Sequence, residues 1–268
     1  MDEIEIYKIL TKFREPLIRK IIDSLHIKAG SYGADIGCGI GHITNLLAGK
    51  TGSEGKLTGM DFSENSIRYA KEHSKHKNIE FVQGDVNEMQ FEPESFDWIW
   101  SMDTVWVGPE EYGCPAKSPD KILEQFYNIL KPGGKLYLVY WTSQKLLPGY
   151  PLLEARLNAT TVANAPFTQT MNPDDHVLNV TKWLIRTNFK ATGIKTFAGD
   201  ITAPLDEETK TALTIFFQMF WENSREEVTE EDWAKYKALC SPGTDEFILN
   251  NPGYYGFYTY TLFEGTKD

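Results

Sequence analysis

The chain has 268 residues, of which 41% are hydrophobic and 24% are charged, an ordinary composition for a globular protein. Acidic residues outnumber basic ones by 38 to 27, which gives a formal net charge of −11. A field of this sign repels nucleic-acid phosphates and anionic lipid. Neither nucleic acid nor a membrane is therefore expected as a partner.

The cysteine pattern and the N-terminus indicate the compartment. Cys38, Cys114 and Cys240 lie far apart and form no Cys-x-x-Cys pair, which favours reduced thiols and no structural metal site. The first five residues are acidic and lack the basic start and apolar run of a signal peptide. No stretch approaches the length of a transmembrane helix. A cytoplasmic protein is therefore expected.

The first half of the chain alternates between helix and strand patterns. A helix is predicted over residues 16–26, which open with Pro16 and carry an apolar stripe. Later helices begin after Ser63 and at Ser118, both good N-caps. Strands are predicted over residues 32–37, 56–61, 79–82, 98–101 and 135–141, the last after a turn at residues 131–134. This alternation predicts an α/β fold with a doubly wound, mostly parallel sheet.

The second half has a different pattern. Residues 142–172 read as irregular, and Asn172 and Pro173 start a predicted helix that runs toward Lys190. Further elements are a strand over residues 195–198, helices over residues 205–221 and after Thr229, and a β-rich run over residues 254–263. We therefore expect two late strands, with helical insertions that lie over the site.

The segment from Asp35 to Gly41 is the most informative motif. It reads Asp-Ile-Gly-Cys-Gly-Ile-Gly, follows the first strand and opens a helix. Glycine allows the backbone to approach a ligand closely and to adopt positive φ. In open α/β sheets the ligand lies at the carboxyl end of the first strand, where the strand order reverses. An ordinary strand-to-helix turn remains compatible with this segment alone.

The spacing of the glycines distinguishes between ligands. A dinucleotide fingerprint requires Gly-x-Gly-x-x-Gly, but His42 occupies the third position and the glycine falls at Gly41. The Gly-Lys-Ser/Thr of a P-loop is absent. The pattern instead resembles the first motif of class I S-adenosylmethionine-dependent methyltransferases. That resemblance implies S-adenosyl-L-methionine as cofactor, S-adenosyl-L-homocysteine as product, and a loop formed by Asp35, Gly37, Cys38, Gly39, Gly41 and His42.

Further pieces of the family pattern follow in order. The resemblance implies that Asp61, at the end of the second strand, accepts hydrogen bonds from the ribose hydroxyls, and that Phe62 packs on the adenine. It implies that Asp85 accepts from the adenine amino group and that the Val86 amide donates to the ring. Residues 96–101 match the fourth-strand motif. The set of predicted cofactor residues is completed by Ser101.

The resemblance also implies a domain organisation. The whole chain, residues 1–268, is predicted to form a single methyltransferase domain. Residues 30–141 form its cofactor-binding core, and residues 251–268 form the antiparallel last strand that is typical of this family. Residues 1–28 and 142–250 are predicted as helical cap and substrate elements.

Methyl transfer from a sulfonium is an in-line displacement, in which the enzyme orients the reactants and excludes water. Asp103 and His176 are candidates for a general base, should the acceptor lose a proton. Trp106, Trp141 and Tyr254 are predicted to line the acceptor pocket, because the cofactor occupies the ends of the first three strands. In small-molecule members of the family a helical cap shapes the acceptor pocket, and the aromatic content of 13% and the net charge of −11 favour a small, neutral or cationic acceptor.

Three alternatives remain open on the sequence. The acceptor could be a protein or a transfer RNA, and the fold could serve as a non-catalytic S-adenosylmethionine-binding module. A nicotinamide-dependent oxidoreductase is the third alternative, against which His42 and the later motifs count. The sequence does not determine the acceptor atom or the oligomeric state.

Overall fold

The sheet lies at the centre of the fold. The computed structural model describes residues 1–108, 114, 116–164 and 171–268. Within these residues the strands are β1 (Tyr32–Ile36), β2 (Lys56–Asp61), β3 (Ile79–Gln83), β4 (Phe96–Met102), β5 (Leu130–Lys145), β6 (Phe189–Thr202) and β7 (Tyr255–Lys267). Their spatial order is β3-β2-β1-β4-β5-β7-β6. Neighbours from β3 to β5 run parallel, whereas β7 is antiparallel to both β5 and β6. This order confirms the predicted fold class.

Helices flank the sheet. In the described part of the chain they are α1 (Glu3–Ser24), α2 (His42–Thr51), α3 (Glu64–His73), α4 (Pro119–Ile129), α5 (Pro151–Asn158), α6 (Thr161–Asn164), α7 (Val180–Arg186), α8 (Glu207–Trp221) and α9 (Glu230–Cys240). The Ser63 side chain caps α3, and the Thr229 side chain caps α9, as predicted. Among the described helices, none combines the length and apolar content needed to cross a membrane.

The central strands are buried on both faces. Trp98 and Trp100 of β4 pack in the cluster formed with α1, α2, α8 and α9, whereas Ile99 packs with α4 and α7. Successive side chains of a strand point to opposite faces, so a strand covered by helices on both sides is apolar at every position. The two tryptophans of β4 are therefore core residues that hold α1 against the sheet.

The first helix is longer than predicted. It begins at Glu3, and Pro16 lies inside it. Asp2 Oδ1 accepts a hydrogen bond from Glu5 N at 2.8 Å, which satisfies one free amide of the first turn. Proline is common at the first helical position, and the prediction that the helix starts at Pro16 is wrong because here the ring lies within a helix that is already capped upstream.

The strand that precedes the late region also extends further than predicted. Residues 131–134, predicted as a turn, lie within β5, and the pairing of β4 with β5 shifts register there. Gly133 has φ +78°, which accommodates this irregularity. Residues 142–172 are not irregular throughout, because they contain the end of β5 together with α5 and α6.

The helix predicted from residue 173 to Lys190 is present only in part, as α7. Two short 3-10 turns, Pro173–Asp175 and Val177–Asn179, precede α7, and β6 begins at Phe189. The strand predicted over residues 195–198 is the middle of this 14-residue strand. β6 pairs with β7 along its whole length, and this long-range pairing stabilises the strand beyond residues 195–198. Local sequence patterns do not report such contacts. Residues 142–250 are therefore not wholly helical.

Candidate functional site

A cavity of about 640 Å³ lies at the carboxyl ends of β1, β2, β3 and β4. This is where the strand order reverses, between β1 and β4, as in other open α/β sheets that bind ligands. Its volume is in the range of small-molecule sites. The described lining residues fall between Glu3 and Lys117 and come from α1, the glycine loop and the strand ends.

The glycine loop is shaped by backbone conformation and by packing. Gly37, Gly39 and Gly41 have φ values of 83°, 51° and 74°. A Cβ at Gly37 would lie 1.8 Å from Thr104 Oγ1, and one at Gly41 would lie 2.7 Å from the Phe81 ring. A Cβ at Gly39 meets no described atom within 4 Å. Packing therefore requires glycine at the first and third positions, whereas Gly39 leaves cavity space open.

The amides of this loop are used inside the protein. The Gly37 and Cys38 amides both donate to the Met60 carbonyl, at 2.8 and 2.9 Å. The Gly39 amide donates to Asp61 Oδ2 at 2.7 Å. A loop that cradles a pyrophosphate offers its amides to the ligand. The Gly37, Cys38 and Gly39 amides instead donate to acceptors within the protein, which argues against a dinucleotide in this cavity.

The Asp61 carboxylate is oriented before any ligand binds. Its Oδ2 accepts from Gly39 N, and its Oδ1 accepts from Ser63 N at 2.9 Å. An ionised carboxylate has about four acceptor positions, so each oxygen can accept one more donor. Asp85 is fixed in a similar way, since its Oδ1 accepts from both the backbone and the side-chain nitrogen of Asn87 at 2.8 Å.

Two apolar side chains flank the Asp61 and Asp85 region of the cavity. Phe62 is 71% exposed, and Val86 is buried, yet both line the cavity. An exposed aromatic ring beside a cavity buries apolar surface when it covers a ligand, and this burial stabilises the complex. This part of the cavity therefore suits a flat, aromatic ligand group with polar edges.

Asp35 is a buried acid in the cavity wall. Its Oδ2 accepts from the Thr44 hydroxyl at 2.6 Å. Burial raises the pKa of Asp35 to about 7, the Asp61 charge adds to this, and the Thr44 hydrogen bond opposes it. The neighbouring Cys38 thiol also has a raised pKa, mainly because of burial. The cysteine therefore contributes a neutral, apolar wall.

The first half of α1, which belongs to the cap element predicted over residues 1–28, lines the cavity, although none of its lining residues was named from the sequence. Glu3, Tyr7, Thr11 and Arg14 line the cavity. One sequence signal could have indicated that the helix begins this early. Asp2 is followed three residues later by Glu5, a pattern typical of a helix N-terminus. Glu15, which follows Arg14 on α1, connects the helix to the end of the glycine loop, since its Oε2 lies 2.5 Å from His42 Nε2. His42 also lines the cavity.

Asp103 follows β4 and has φ +51°. Its Oδ1 accepts from Trp141 N at 2.9 Å, and its Oδ2 accepts from the Tyr260 hydroxyl at 2.8 Å. Arg14 Nη1 lies 3.6 Å from the same Oδ2. Burial raises the pKa of Asp103, while Arg14 and these two hydrogen bonds oppose the rise. The acid is thus held from three sides at the edge of the cavity.

Two predicted residues have other roles in the core. Ser101, predicted to contact the cofactor, is buried and donates its hydroxyl to the Ile36 carbonyl at 2.9 Å. Tyr254, predicted to line the acceptor pocket, is buried and donates to the Leu146 carbonyl at 3.0 Å. Neither is among the described residues that line the cavity. Both lie near strand ends in sequence, but their side chains point into the protein.

The two tryptophans predicted for the acceptor wall pack on aromatic neighbours. The Trp106 ring lies 5.7 Å from Tyr140. Trp141 stacks on Tyr258 at 4.7 Å and 12°, and its backbone amide holds Asp103. They are not among the described lining residues. Trp141 therefore lies directly behind the wall that Asp103 forms.

His176 lies away from the cavity. It sits between the two 3-10 turns that precede α7, and its Nδ1 accepts from Leu178 N at 3.2 Å. Burial lowers the pKa of this imidazole. The neighbouring Val177 packs in the cluster with α4 and α7. His176 is therefore on the sheet face opposite α1, and the described cavity lining does not include it.

Comparisons with known proteins identify the relatives. The model of the family described as "Methyltransferase domain" matches residues 28–207. A demethylmenaquinone methyltransferase of Staphylococcus haemolyticus is 35% identical over 133 residues, which are 48% of this chain and 51% of that protein. One of Listeria welshimeri is 30% identical over 155 residues, 56% of this chain and 59% of that protein.

The chain thus spans about half the length of the curated relatives it matches. Among solved structures, a SAM-dependent methyltransferase from Aquifex aeolicus superimposes with a TM-score of 0.53 and 19% identity. The match covers 72% of this chain and 92% of that one. At this identity the likeness supports the shared fold alone.

Asp35 predicts an unusual dependence of stability on pH. Its pKa is about 7 in the fold against an ordinary 3.8, so the native state binds more protons than the unfolded state between these values. The free energy of unfolding of the ligand-free protein should therefore fall as pH rises from about 4 to about 7, by on the order of 4 kcal/mol from this group.

Asp35→Asn keeps an oxygen for Thr44 and removes the titration. Denaturant unfolding between pH 4 and pH 8 should give a flatter curve for this variant than for the wild type. The exposed Asp245→Asn is the matched control and should keep the wild-type slope. Parallel curves for Asp35→Asn and the wild type would show that Asp35 is ionised throughout.

Proposed function

The chain belongs to the methyltransferase domain family, and on that premise we propose that it transfers the methyl group of S-adenosylmethionine to a small-molecule acceptor. S-adenosylmethionine is the methyl donor that family membership implies. The observation that carries the proposal is the cavity itself, which runs from the glycine loop and Asp61 to Asp103 beneath α1. One space of this kind has room for a donor at the loop and an acceptor beside it.

The described residues fit this cofactor. It supplies a methyl group activated by a positively charged sulfur. We propose that the two acceptor positions left on Asp61 take the ribose hydroxyls, and that Asp85 and the apolar Phe62 and Val86 hold the adenine. Charge-assisted hydrogen bonds of this type contribute about 1.5–3 kcal/mol each. Asp35 faces the same cavity and, when ionised, attracts a ligand ammonium group.

We propose that catalysis rests on orientation and on exclusion of water. The sulfonium leaving group needs no further activation, so holding donor and acceptor in line supplies most of what the enzyme must provide. Tyr7, Thr11 and Arg14 of α1 roof the cavity. Asp103 accepts hydrogen bonds from Trp141 N and the Tyr260 hydroxyl, and Arg14 Nη1 lies 3.6 Å from its Oδ2. We propose that Asp103 positions Tyr260 and Arg14 at the edge of the cavity; a role as general base stays a prediction.

The nature of the relatives supports a small acceptor. The Staphylococcus and Listeria proteins are named for demethylmenaquinone, a small molecule. Roofing by α1 also favours a small molecule, since a protein or transfer RNA acceptor needs an open surface around the reacting atoms. The Met60 and Asp61 acceptors that occupy the loop amides argue against the nicotinamide alternative. A binding module without catalysis is the remaining rival.

Gly39 tests the position of the cofactor. Gly39→Leu should abolish binding of S-adenosylhomocysteine in calorimetry, because the side chain enters cavity space while meeting no described protein atom within 4 Å of its Cβ. The control is Gly243→Leu, at a glycine with φ +88° and equally open surroundings outside the cavity. It carries similar backbone strain and should bind normally. Equal affinity of both variants would refute the assignment.

Asp61 tests the ribose contact. Asp61→Ala removes two proposed charge-assisted hydrogen bonds and should weaken S-adenosylhomocysteine binding at least about tenfold, since about 1.4 kcal/mol corresponds to that factor. Binding of the variant is measured by calorimetry, and circular dichroism checks its fold. Asp245→Ala, on the surface, is the control. A loss of less than tenfold in a folded variant would count against the ribose role.

Turnover separates the enzyme from a binding module. The protein is incubated with methyl-labelled S-adenosylmethionine and a cell extract divided by ultrafiltration. Label should enter the small-molecule filtrate and S-adenosylhomocysteine should accumulate, both being lost in Gly39→Leu. Label in the retained macromolecules would favour a protein or transfer RNA acceptor. Binding without any turnover would favour the non-catalytic module.

A further inference from the structure

Arg14 is a buried cation in the cavity roof. Its side chain is 15% exposed, and it lines the cavity from α1. Its Nε donates to the Leu10 carbonyl at 3.1 Å, and its Nη1 donates to the Tyr260 hydroxyl at 3.1 Å. Burial of a guanidinium is costly unless its charge and its donors are matched. The groups that pair with the Arg14 guanidinium therefore indicate which ligand the cavity binds.

The protein matches Arg14 only in part. The nearest carboxylate oxygen, Asp103 Oδ2, is 3.6 Å from Nη1, and that oxygen takes its hydrogen bond from Tyr260 at 2.8 Å instead. Among the described residues, none accepts a hydrogen bond from Arg14 Nη2. A guanidinium has five donors in a planar fork that fits a carboxylate with two parallel bonds. The nearby Asp103 carboxylate balances the charge of Arg14, but the planar donor fork of the guanidinium is not fully hydrogen-bonded by described residues.

The position of Arg14 indicates which ligand it meets. It is bonded to Tyr260 of β7 and lies beside Asp103 after β4. The cofactor contacts proposed above, Asp61 and Asp85, follow β2 and β3, on the other side of β1 in the sheet. Arg14 is therefore on the side where the acceptor must lie. The other lysine or arginine among the described lining residues, Lys117, is exposed and belongs to the loop before α4.

We propose that Arg14 is the specificity-determining residue for the acceptor, and that the acceptor carries an oxyanion, a carboxylate or an ionised hydroxyl, that the guanidinium binds. This rests on the proposed function. The same chemistry could come from the amino-acid carboxylate of the cofactor. The position on the β4 and β7 side favours the acceptor, and the experiment distinguishes the two sources.

The test uses small probes in place of the unidentified acceptor. Benzoate and benzamide have nearly the same shape, but only benzoate is an anion. Each is titrated into the protein saturated with S-adenosylhomocysteine, and binding is followed by NMR. The wild type should bind benzoate at least tenfold more tightly than benzamide. Arg14→Gln should abolish this preference, and Arg14→Lys should retain part of it, because lysine keeps the charge without the fork.

Two matched variants exclude a merely structural effect. Lys12→Gln changes an exposed cation of α1 that pairs with Glu208 outside the cavity lining, so it should keep the preference for benzoate. Arg68→Gln changes an exposed arginine on α3 that donates to Asn65, and it should behave as the wild type. If Arg14→Gln unfolds, the comparison of Arg14→Lys with Lys12→Gln still decides, since only Arg14→Lys should lose part of the preference for benzoate.

The cofactor arm compares S-adenosylhomocysteine with 5′-methylthioadenosine, which lacks the amino-acid carboxylate. Under the proposal, Arg14→Gln changes neither affinity by more than about twofold. Selective weakening of S-adenosylhomocysteine would assign the oxyanion to the cofactor and overturn the proposal. So would equal binding of benzoate and benzamide to the wild type. Failure of the wild type to bind S-adenosylhomocysteine would instead refute the proposed function.

Discussion

The reversal of strand order between β1 and β4 is the constraint on which the site depends. The chain leaves β1 toward β2 and β3 on one side and returns to place β4 and β5 on the other. The segments that follow β1 and β4 therefore diverge and leave a crevice at the carboxyl edge of the sheet. The glycine loop, Asp61, Asp85 and Asp103 all follow strands that end at this edge, so their proximity follows from topology.

Within the crevice, hydrogen bonds inside the protein decide what kind of ligand fits. The Met60 carbonyl and the Asp61 carboxylate accept from the loop amides, and the same contacts hold Asp61 in place. A loop of similar sequence with free amides would favour phosphate. This one presents oriented carboxylates and a buried acid, Asp35, to the cavity. Its electrostatics favour hydroxyl, amino and cationic groups, which is the chemistry of a sulfonium nucleoside.

Helix α1 joins the two halves of the cavity. Glu15 contacts His42 at the glycine loop, and Arg14 contacts Tyr260 and lies beside Asp103 on the far side. Leu17, Ile18, Ile21 and Ile22 are buried in the core cluster beneath the helix, so the roof is attached to the core through its own second half. Neighbouring residues of one helix thus link the glycine-loop side and the Asp103 side of the cavity, and a shift of α1 would alter both.

The alternation of apolar runs was sufficient to predict the fold class, and the acids at Asp35, Asp61 and Asp85, picked out from their places after predicted strands, all lie in the cavity lining. The remainder of the lining was not predictable in this way. Ser101, Trp106 and Tyr254 follow the same local rules but point into the core or pack on aromatic neighbours. Arg14 enters the site only because α1 crosses the sheet edge and packs against β7. The sequence by itself determined the alternation of strands and helices and the acids at the strand ends, because both are local patterns. Only the tertiary structure decided which side chains of the predicted cap face the cavity, because contacts such as that of Arg14 with Tyr260 join residues 246 positions apart.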